Sequence, residues 1–156
     1  MIERHSLSTA PWQKLADIPG PGTQSVAAYA TISDSVYLLG GEDESPHLPI
    51  ARVIRYDITA DSWSIRSPLP SPRKSSVAVE NSGIVYVLGG CGLGGSYLDQ
   101  IVAYNPATDS QCVMATKLPV GMCAFVAVPV GSKVYLMGGA ASIGNLSSTY
   151  EGSFSQ

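Results

Sequence analysis

A glycine pair that returns at a fixed interval constrains this chain more than any other feature. The pair ends the segments SVYLLGG, IVYVLGG and KVYLMGG at Gly41, Gly90 and Gly139, so successive copies lie 49 residues apart. The same spacing separates the tyrosines of these segments, Tyr37, Tyr86 and Tyr135. A period of this length is typical of proteins that stack copies of one supersecondary unit. The sequence therefore predicts a repeat architecture, and most of these glycines and tyrosines are expected to serve the scaffold.

A nucleotide-binding turn is the competing interpretation of one glycine-rich stretch. Gly90, Gly92 and Gly95 form the pattern G-x-G-x-x-G behind an apolar run, but a dinucleotide turn of this kind must open a helix and precede an acidic ribose ligand by about 20 residues. The segment that follows, SYLDQIVAYNP, has the composition of a strand and a turn, and the residue 20 positions beyond Gly95 is Ala115. The sequence has neither the helix nor the acidic residue that such a turn requires, so a phosphate site is not predicted.

Each repeat can be divided into four short strands. The first covers residues 76–80 in one unit and 125–130 in the next, and the second is the apolar run before the glycine pair. The third ends at Tyr56 or Tyr104, and the fourth contains Trp63, Gln111 or, in an incomplete unit, Trp12. No window has convincing helical periodicity, so an all-β fold is predicted.

The second strands are apolar on both faces. Val36 and Leu38 point to one side of the sheet, and Tyr37 and Leu39 point to the other. A sheet that is buried on both sides must be stacked between neighbours. Four-stranded antiparallel sheets with a period near 50 residues are the blades of a β-propeller.

The repeat resembles the kelch motif, in which a glycine pair follows a strand and a tyrosine precedes a tryptophan by seven residues. Tyr56 and Trp63 have this spacing, and the dipeptide Pro72-Arg73 is similar to the usual start of a kelch repeat. The departures are Gln111 in place of one tryptophan, and Gln24 and Met122 in place of Arg73. The resemblance implies kelch-type propeller blades and assigns structural roles to the repeat residues. These are Gly40, Gly41, Gly89, Gly90, Gly138, Gly139, Tyr56, Tyr104, Trp12 and Trp63.

Counting strands predicts one kelch-repeat domain over residues 1–156 that holds three blades' worth of chain. Residues 1–20 would supply the last strand of a split blade, 21–70 and 71–119 two complete blades, and 120–156 the first three strands of the split blade. Kelch propellers close with about six blades, so a homodimer that completes the ring is expected. A truncated fragment of a longer kelch protein is the alternative.

Binding residues are expected on loops that differ between repeats, and the loops after the glycine pairs differ most. The kelch resemblance implies that these loops and the loops between blades form the ligand-facing rim. The candidates are Arg73, Lys74, Glu42, Asp43, Glu44, His47, Tyr97 and Asn145. The family resemblance implies a module that recognises a protein partner through these loops. The alternative is a propeller that binds a sugar or acts as a sugar-acid mutarotase.

Composition excludes several other functions. The net charge is −3 without any basic run, so neither nucleic acid nor a membrane surface is an expected partner. Three cysteines outside any C-x-x-C pair predict free thiols and a cytoplasmic location, with Cys112 and Cys123 as small core residues. His5 and His47 are the two histidines, too few for a metal centre with several imidazole ligands. No catalytic residue and no cofactor are predicted, which favours binding over catalysis.

Overall fold

The computed structural model describes residues 12–20 and 24–154, and these contain four antiparallel sheets, of which three are blades and one is a two-stranded hairpin. Blade 1 consists of β1 (Ala28–Ile32), β2 (Ser35–Leu39), β3 (Val53–Asp57) and β4 (Ser62–Arg66), which pair in chain order. Blade 2 repeats this order with β5 (Val77–Asn81), β6 (Ile84–Leu88), β7 (Gln100–Asn105) and β8 (Ser110–Lys117). The all-β prediction is confirmed, and the strands predicted for the three repeats after residue 24 lie within a few residues of the observed ones.

Blade 3 has three strands in the described part of the chain. These are β9 (Val126–Val130), β10 (Lys133–Met137) and β13 (Thr149–Ser153), with β10 in the middle of the sheet. A small hairpin of β11 (Ala140–Ala141) and β12 (Gly144–Asn145), which the repeat pattern did not predict, fills the connection from β10 to β13. A 3₁₀ turn over Leu93–Gly95 lies at the equivalent place in blade 2. None of the described residues forms a helix with the length and apolar character needed to cross a membrane.

The strand registers align the three repeats residue by residue. β2 and β3 set Val36 opposite Tyr56, β6 and β7 set Val85 opposite Tyr104, and β10 and β13 set Val134 opposite Gly152. On the outer side, Tyr56 faces Trp63 and Tyr104 faces Gln111. Gly152 therefore occupies the place that a tyrosine holds in the other two blades.

Antiparallel pairing in chain order sorts the connections onto two edges of the sheets. The loops after the glycine pairs and the loops between blades lie at one edge, which we call the rim edge (residues 40–52, 69–76, 89–99, 118–125 and 138–148). The short turns lie at the opposite edge, the turn edge (residues 33–34, 58–61, 82–83, 106–109 and 131–132). The chain bends into the rim edge at the glycine pairs, where Gly40 and Gly41 have φ angles of 67° and 106°. These angles favour glycine, because it carries no Cβ.

Blade 2 is packed on both faces, as the sequence predicted for a stacked sheet. Towards blade 1, Val87 and Tyr104 join a buried cluster with Tyr37. Towards blade 3, Leu88 packs in a second cluster with Leu136 and other apolar residues. We call these two contacts the first and second blade interfaces. Strand β1 contacts β5, and β5 contacts β9, so the first strand of each blade lies on the inside of the arc.

The outer face of blade 3 is open and apolar, and that of blade 1 is partly open, with Ile54 and Tyr56 buried on it. Ala28 and Leu39 of blade 1 are 2% and 0% exposed against blade 2, whereas the equivalent Val126 and Met137 of blade 3 are 54% and 38% exposed. The open face of blade 1 exposes Tyr29 and Ile65. The two ends of the arc thus present the same kinds of face that meet inside it.

Two sequence expectations need correction. Cys91 and Cys123 form a disulfide with a Cα separation of 5.5 Å, so the prediction of three free thiols was wrong. Cys123 is buried as expected, but Cys112 is exposed on β8.

Residues 12–20 contain no strand, and Trp12 is 94% exposed. A fourth strand of a split blade has no sheet to join here, because the open edge of blade 3 lies at the other end of the arc. The assignment of residues 1–20 to such a strand, of which 1–11 lie outside the described residues, stays a prediction.

Candidate binding rim

Three of the predicted binding residues meet at the rim edge where blade 1 contacts blade 2. Lys74 Nζ lies 2.5 Å from Glu42 Oε2 and donates a hydrogen bond of 2.9 Å to the carbonyl oxygen of His47. His47 Nδ1 lies 3.6 Å from the other carboxylate oxygen of Glu42. The hydroxyl of Ser25 donates to that same oxygen at 3.3 Å. We call Glu42, His47 and Lys74 the rim cluster.

The rim cluster is held by charge. The hydrogen bond from Lys74 lowers the pKa of Glu42, and the nearby Ser25 hydroxyl acts in the same direction. Glu42 is therefore ionised at neutral pH, and its charge is balanced by Lys74. The uncompensated negative charge of this loop comes from Asp43 and Glu44.

The remaining candidates lie on the same edge but apart from the rim cluster. Asp43 accepts a hydrogen bond of 2.8 Å from the backbone N–H of Leu48, which closes the loop. Glu44 is exposed. Tyr97 is half-buried in the blade 2 loop, and Asn145 is exposed on β12 of blade 3. The structure thus joins three of the eight candidates in one cluster.

Arg73 belongs to the scaffold, which corrects the expectation of an exposed side chain. It is 0% exposed, and its guanidinium donates to the carbonyl oxygen of Gly89 at 3.1 Å and to the hydroxyl of Ser71 at 2.9 Å. Burial lowers its pKa to about 10, which leaves it protonated at neutral pH. Gln24 satisfies the same backbone position in blade 1 by donating to the carbonyl oxygen of Gly40. The arginine of the motif therefore anchors the end of the second strand.

The rim cluster has a covalent counterpart one blade further on. Glu42 and Cys91 each follow a glycine pair, and Lys74 and Cys123 each begin the next blade. The Glu42–Lys74 ion pair and the Cys91–Cys123 disulfide are thus equivalent links between neighbouring blades. Sequence reasoning missed this, because neither pair forms a local spacing motif.

A second repeated contact between blades was also missed. The Tyr104 hydroxyl donates to Asp109 Oδ1 at 2.8 Å, and Asp109 accepts a further bond of 3.1 Å from the backbone N–H of Ser67. Gln111 then donates from its amide to the carbonyl oxygen of Ser67 at 2.6 Å. In this set, an aspartate and a side-chain donor form hydrogen bonds with the backbone of one residue in the preceding segment. We call it the blade clasp.

The same clasp recurs one repeat earlier. The Tyr56 hydroxyl donates to Asp61 at 2.6 Å, Asp61 accepts from the backbone N–H of Ala16 at 2.8 Å, and Trp63 donates to the carbonyl oxygen of Ala16 at 3.0 Å. The bond to Asp61 raises the pKa of Tyr56 to about 12. The detectable signal was an aspartate five residues after each repeat tyrosine, Tyr56-x₄-Asp61 and Tyr104-x₄-Asp109.

Backbone hydrogen bonds continue the repeat along the inside of the rim edge. The N–H of Ser75 donates to the carbonyl oxygen of Val26, and the N–H of Ala124 donates to that of Ser75, both at 2.9 Å. The second glycine of a pair likewise donates to the next blade, from Gly41 to Arg73 and from Gly90 to Met122, both at 2.8 Å. Within the described range, Gly139 makes no such bond.

The chain consists of stacked β-propeller blades that repeat the same contacts. Comparisons with known proteins identify the family. The sequence model of the Kelch motif matches residues 72–118. Beta-scruin of Limulus polyphemus is 29% identical over 143 residues, which is 88% of this chain and 15% of that protein. Kelch-like protein 35 of Mus musculus is 30% identical over 149 residues, which is 95% of this chain and 24% of that protein. This chain belongs to the kelch-repeat family.

A solved structure agrees with the fold. The structure of YjhT matches with a TM-score of 0.67 and 25% sequence identity, covering 81% of this chain and 37% of that one. The human Kelch repeat and BTB domain-containing protein 12 is 32% identical over 123 residues, 69% of this chain and 19% of that protein. The chain thus spans less than a quarter of the curated relatives named here.

Proposed function

We propose that this protein is an interaction module that recognises a protein partner through the loops of its rim edge. The observation that carries the proposal is the rim cluster, in which a salt bridge ties the loop of residues 42–49 to the start of the next blade. A loop fixed to a rigid scaffold in this way presents its side chains without a large ordering cost on binding. The kelch repeat itself supports the same function.

The chemistry of this loop suggests the kind of partner segment it would take. Glu44 and Leu48 are both exposed on this loop, and Leu48 is one of the exposed large apolar residues of the chain. A partner segment that carries a basic and an apolar side chain would complement them. Sugar or sugar-acid binding stays an alternative prediction to which no contact of the described residues assigns a site.

The experiment that tests the proposal compares two cross-linking positions. A photoreactive amino acid is placed at Leu48 on the rim edge, and the matched control carries it at Thr108 on the turn edge. Cross-linked proteins are identified by mass spectrometry, and E44K is then introduced into the Leu48 variant. The proposal predicts a protein captured from Leu48, absent with Thr108 and lost with E44K. Equal capture from both positions would contradict it.

We further propose that two copies associate head to tail, so that the open face of blade 3 in one copy covers the open face of blade 1 in the other. The exposed Val126 and Met137 support this, because their counterparts in blade 1 are buried by the next blade. Light scattering after gel filtration tests it. A mass twice that of the 16.3 kDa chain is expected.

A further inference from the structure

A cavity of about 330 Å³ opens at the second blade interface, next to the edge of β13 that pairs with no other strand among the described residues. Its walls are mainly apolar and come from both blades. Among them are Tyr86, Met114, Leu136, Tyr150, Gly152 and Phe154. The wall that β13 forms ends where a fourth strand would begin in blades 1 and 2, so the cavity is open towards that missing position.

The first blade interface shows what fills this space elsewhere in the molecule. There Tyr104 occupies the position of Gly152, is 0% exposed, and packs edge-on against Tyr37 with 5.9 Å between ring centroids. At the second interface Gly152 brings no side chain. The cavity is therefore the space that an aromatic ring takes up one blade earlier.

A backbone acceptor belongs to one of the residues that line the same cavity. The side chains of Trp63 and Gln111 each donate to the backbone carbonyl of the residue two positions before a repeat Ile-Pro or Leu-Pro pair, which is Ala16 or Ser67. The third residue of this series is Thr116, two positions before Leu118-Pro119, and Thr116 lines the cavity. Its carbonyl is the equivalent acceptor for a donor on a fourth strand of blade 3.

The sequence around Trp12 complements this site. Trp12 lies six residues before Ile18-Pro19, just as Trp63 lies six residues before Leu69-Pro70, so it is the fourth-strand aromatic of its repeat. In the two complete repeats the residue two positions earlier is an aspartate that binds the repeat tyrosine. Before Trp12 that residue is Ala10. Gly152 thus stands in place of the repeat tyrosine, and Ala10 stands in place of its aspartate partner.

We propose that residues 12–15 of a second copy add to the free edge of β13 as the fourth strand of blade 3, with Trp12 opposite Gly152. The indole ring lies over the glycine in the cavity, and its N–H donates to the carbonyl of Thr116. An aromatic side chain across from a strand glycine covers the exposed backbone and stabilises the pair. This contact rests on the head-to-tail association proposed above and would stabilise it.

The experiment uses Trp12 as its own reporter, because the chain contains two tryptophans. In the W63F variant Trp12 is the single tryptophan, and it is 94% exposed in the free chain. We expect its emission to shift to shorter wavelength, and its quenching by acrylamide to fall, over the concentration range in which light scattering reports a dimer. The W12F variant, which keeps Trp63 alone, is expected to show a much smaller change.

Substitution then tests the contribution of the ring. W12A is expected to raise the dissociation constant of the dimer at least tenfold, because buried tryptophans dominate binding energy at such contacts. Q13A, whose side chain lies on the opposite face of the added strand, is the matched control and is expected to change it less than threefold. Trp12 does not pack in the free chain, so neither variant is expected to disturb folding.

The outcomes separate this inference from the association on which it rests. A dimer in which Trp12 stays fully quenched, or in which W12A and Q13A behave alike, overturns the Trp12 contact and leaves the dimer. A monomeric mass at every concentration overturns both. The loss of rim cross-linking in the preceding experiment would affect neither.

Discussion

Asp109 combines several contacts at one position and therefore has a testable effect on stability. It accepts the hydroxyl of the fully buried Tyr104 and the backbone N–H of Ser67, so it joins two blades. Removing an acceptor from a buried hydroxyl costs about 1–3 kcal/mol, because the hydroxyl loses its partner without regaining water. We expect D109A to lower the free energy of unfolding by about this amount in urea denaturation. D43A, in a surface loop, is the control and should cost less.

Asp109 also determines the sign of the pH dependence of stability. Burial tends to raise the pKa of Asp109, but hydrogen bonds from Tyr104 and Ser67 outweigh this effect and hold the pKa below its ordinary value. A carboxyl with a lowered pKa in the folded state stabilises the fold above its unfolded pKa and loses that contribution as pH falls through its folded pKa. Asp61 is shifted in the same direction.

We therefore expect the urea midpoint to fall as the pH is lowered from about 5 towards 2. D109N should flatten part of this slope while leaving the remainder, to which Asp61 contributes. Urea titrations at each pH measure it. An unchanged slope in D109N would contradict the assignment of the lowered pKa to this carboxyl.

At the scale of the element, the glycine pairs give a direct test of why the second strands end as they do. Gly89 has φ 56°, and a Cβ built on it would lie 2.6 Å from the carbonyl oxygen of Met122 in the next blade. Gly94 has a similar φ of 66° with nothing within 4 Å. We expect G94A to cost about 1 kcal/mol for its backbone conformation. G89A adds a backbone clash to that cost and should be at least twice as destabilising in the same urea assay.

The strands could be predicted from the sequence because each carries its own local signal. The apolar run before a glycine pair and the tyrosine with tryptophan seven residues later mark β2, β3 and β4, and the 49-residue period transfers the assignment to the next repeat. The contacts that hold the rim could not be predicted in this way. Cys91 and Cys123 are 32 residues apart and become neighbours when the loops of two blades meet. Arg73 was expected among the binding residues because it begins a loop between two blades, whereas its partner, the backbone carbonyl of Gly89 after β6, cannot be read from a sequence.

At the scale of the whole molecule, side chains at the same repeat position differ in exposure between the blades. In a closed ring of blades they would be buried alike. Val128 is 40% exposed on the open face of blade 3, whereas Ala30 and Val79 at the same repeat position are 6% and 3% exposed. If the open face is covered by a second copy, a charge at Val128 would be buried without a partner, which costs several kcal/mol. In the free chain the same charge would remain in water and cost little.

V128K is therefore expected to abolish self-association in light scattering while leaving the urea midpoint of the dilute chain nearly unchanged. A107K adds the same charge to the β7–β8 turn on the turn edge and should leave association intact, which controls for net charge. V79K places the lysine inside the existing second interface and should unfold the chain. Comparing the urea midpoints of V128K and V79K gives the cost of a lysine at the same repeat position without and with a covering blade. If V128K still associates as well as A107K, the face that carries Val128 is not the one that a second copy covers.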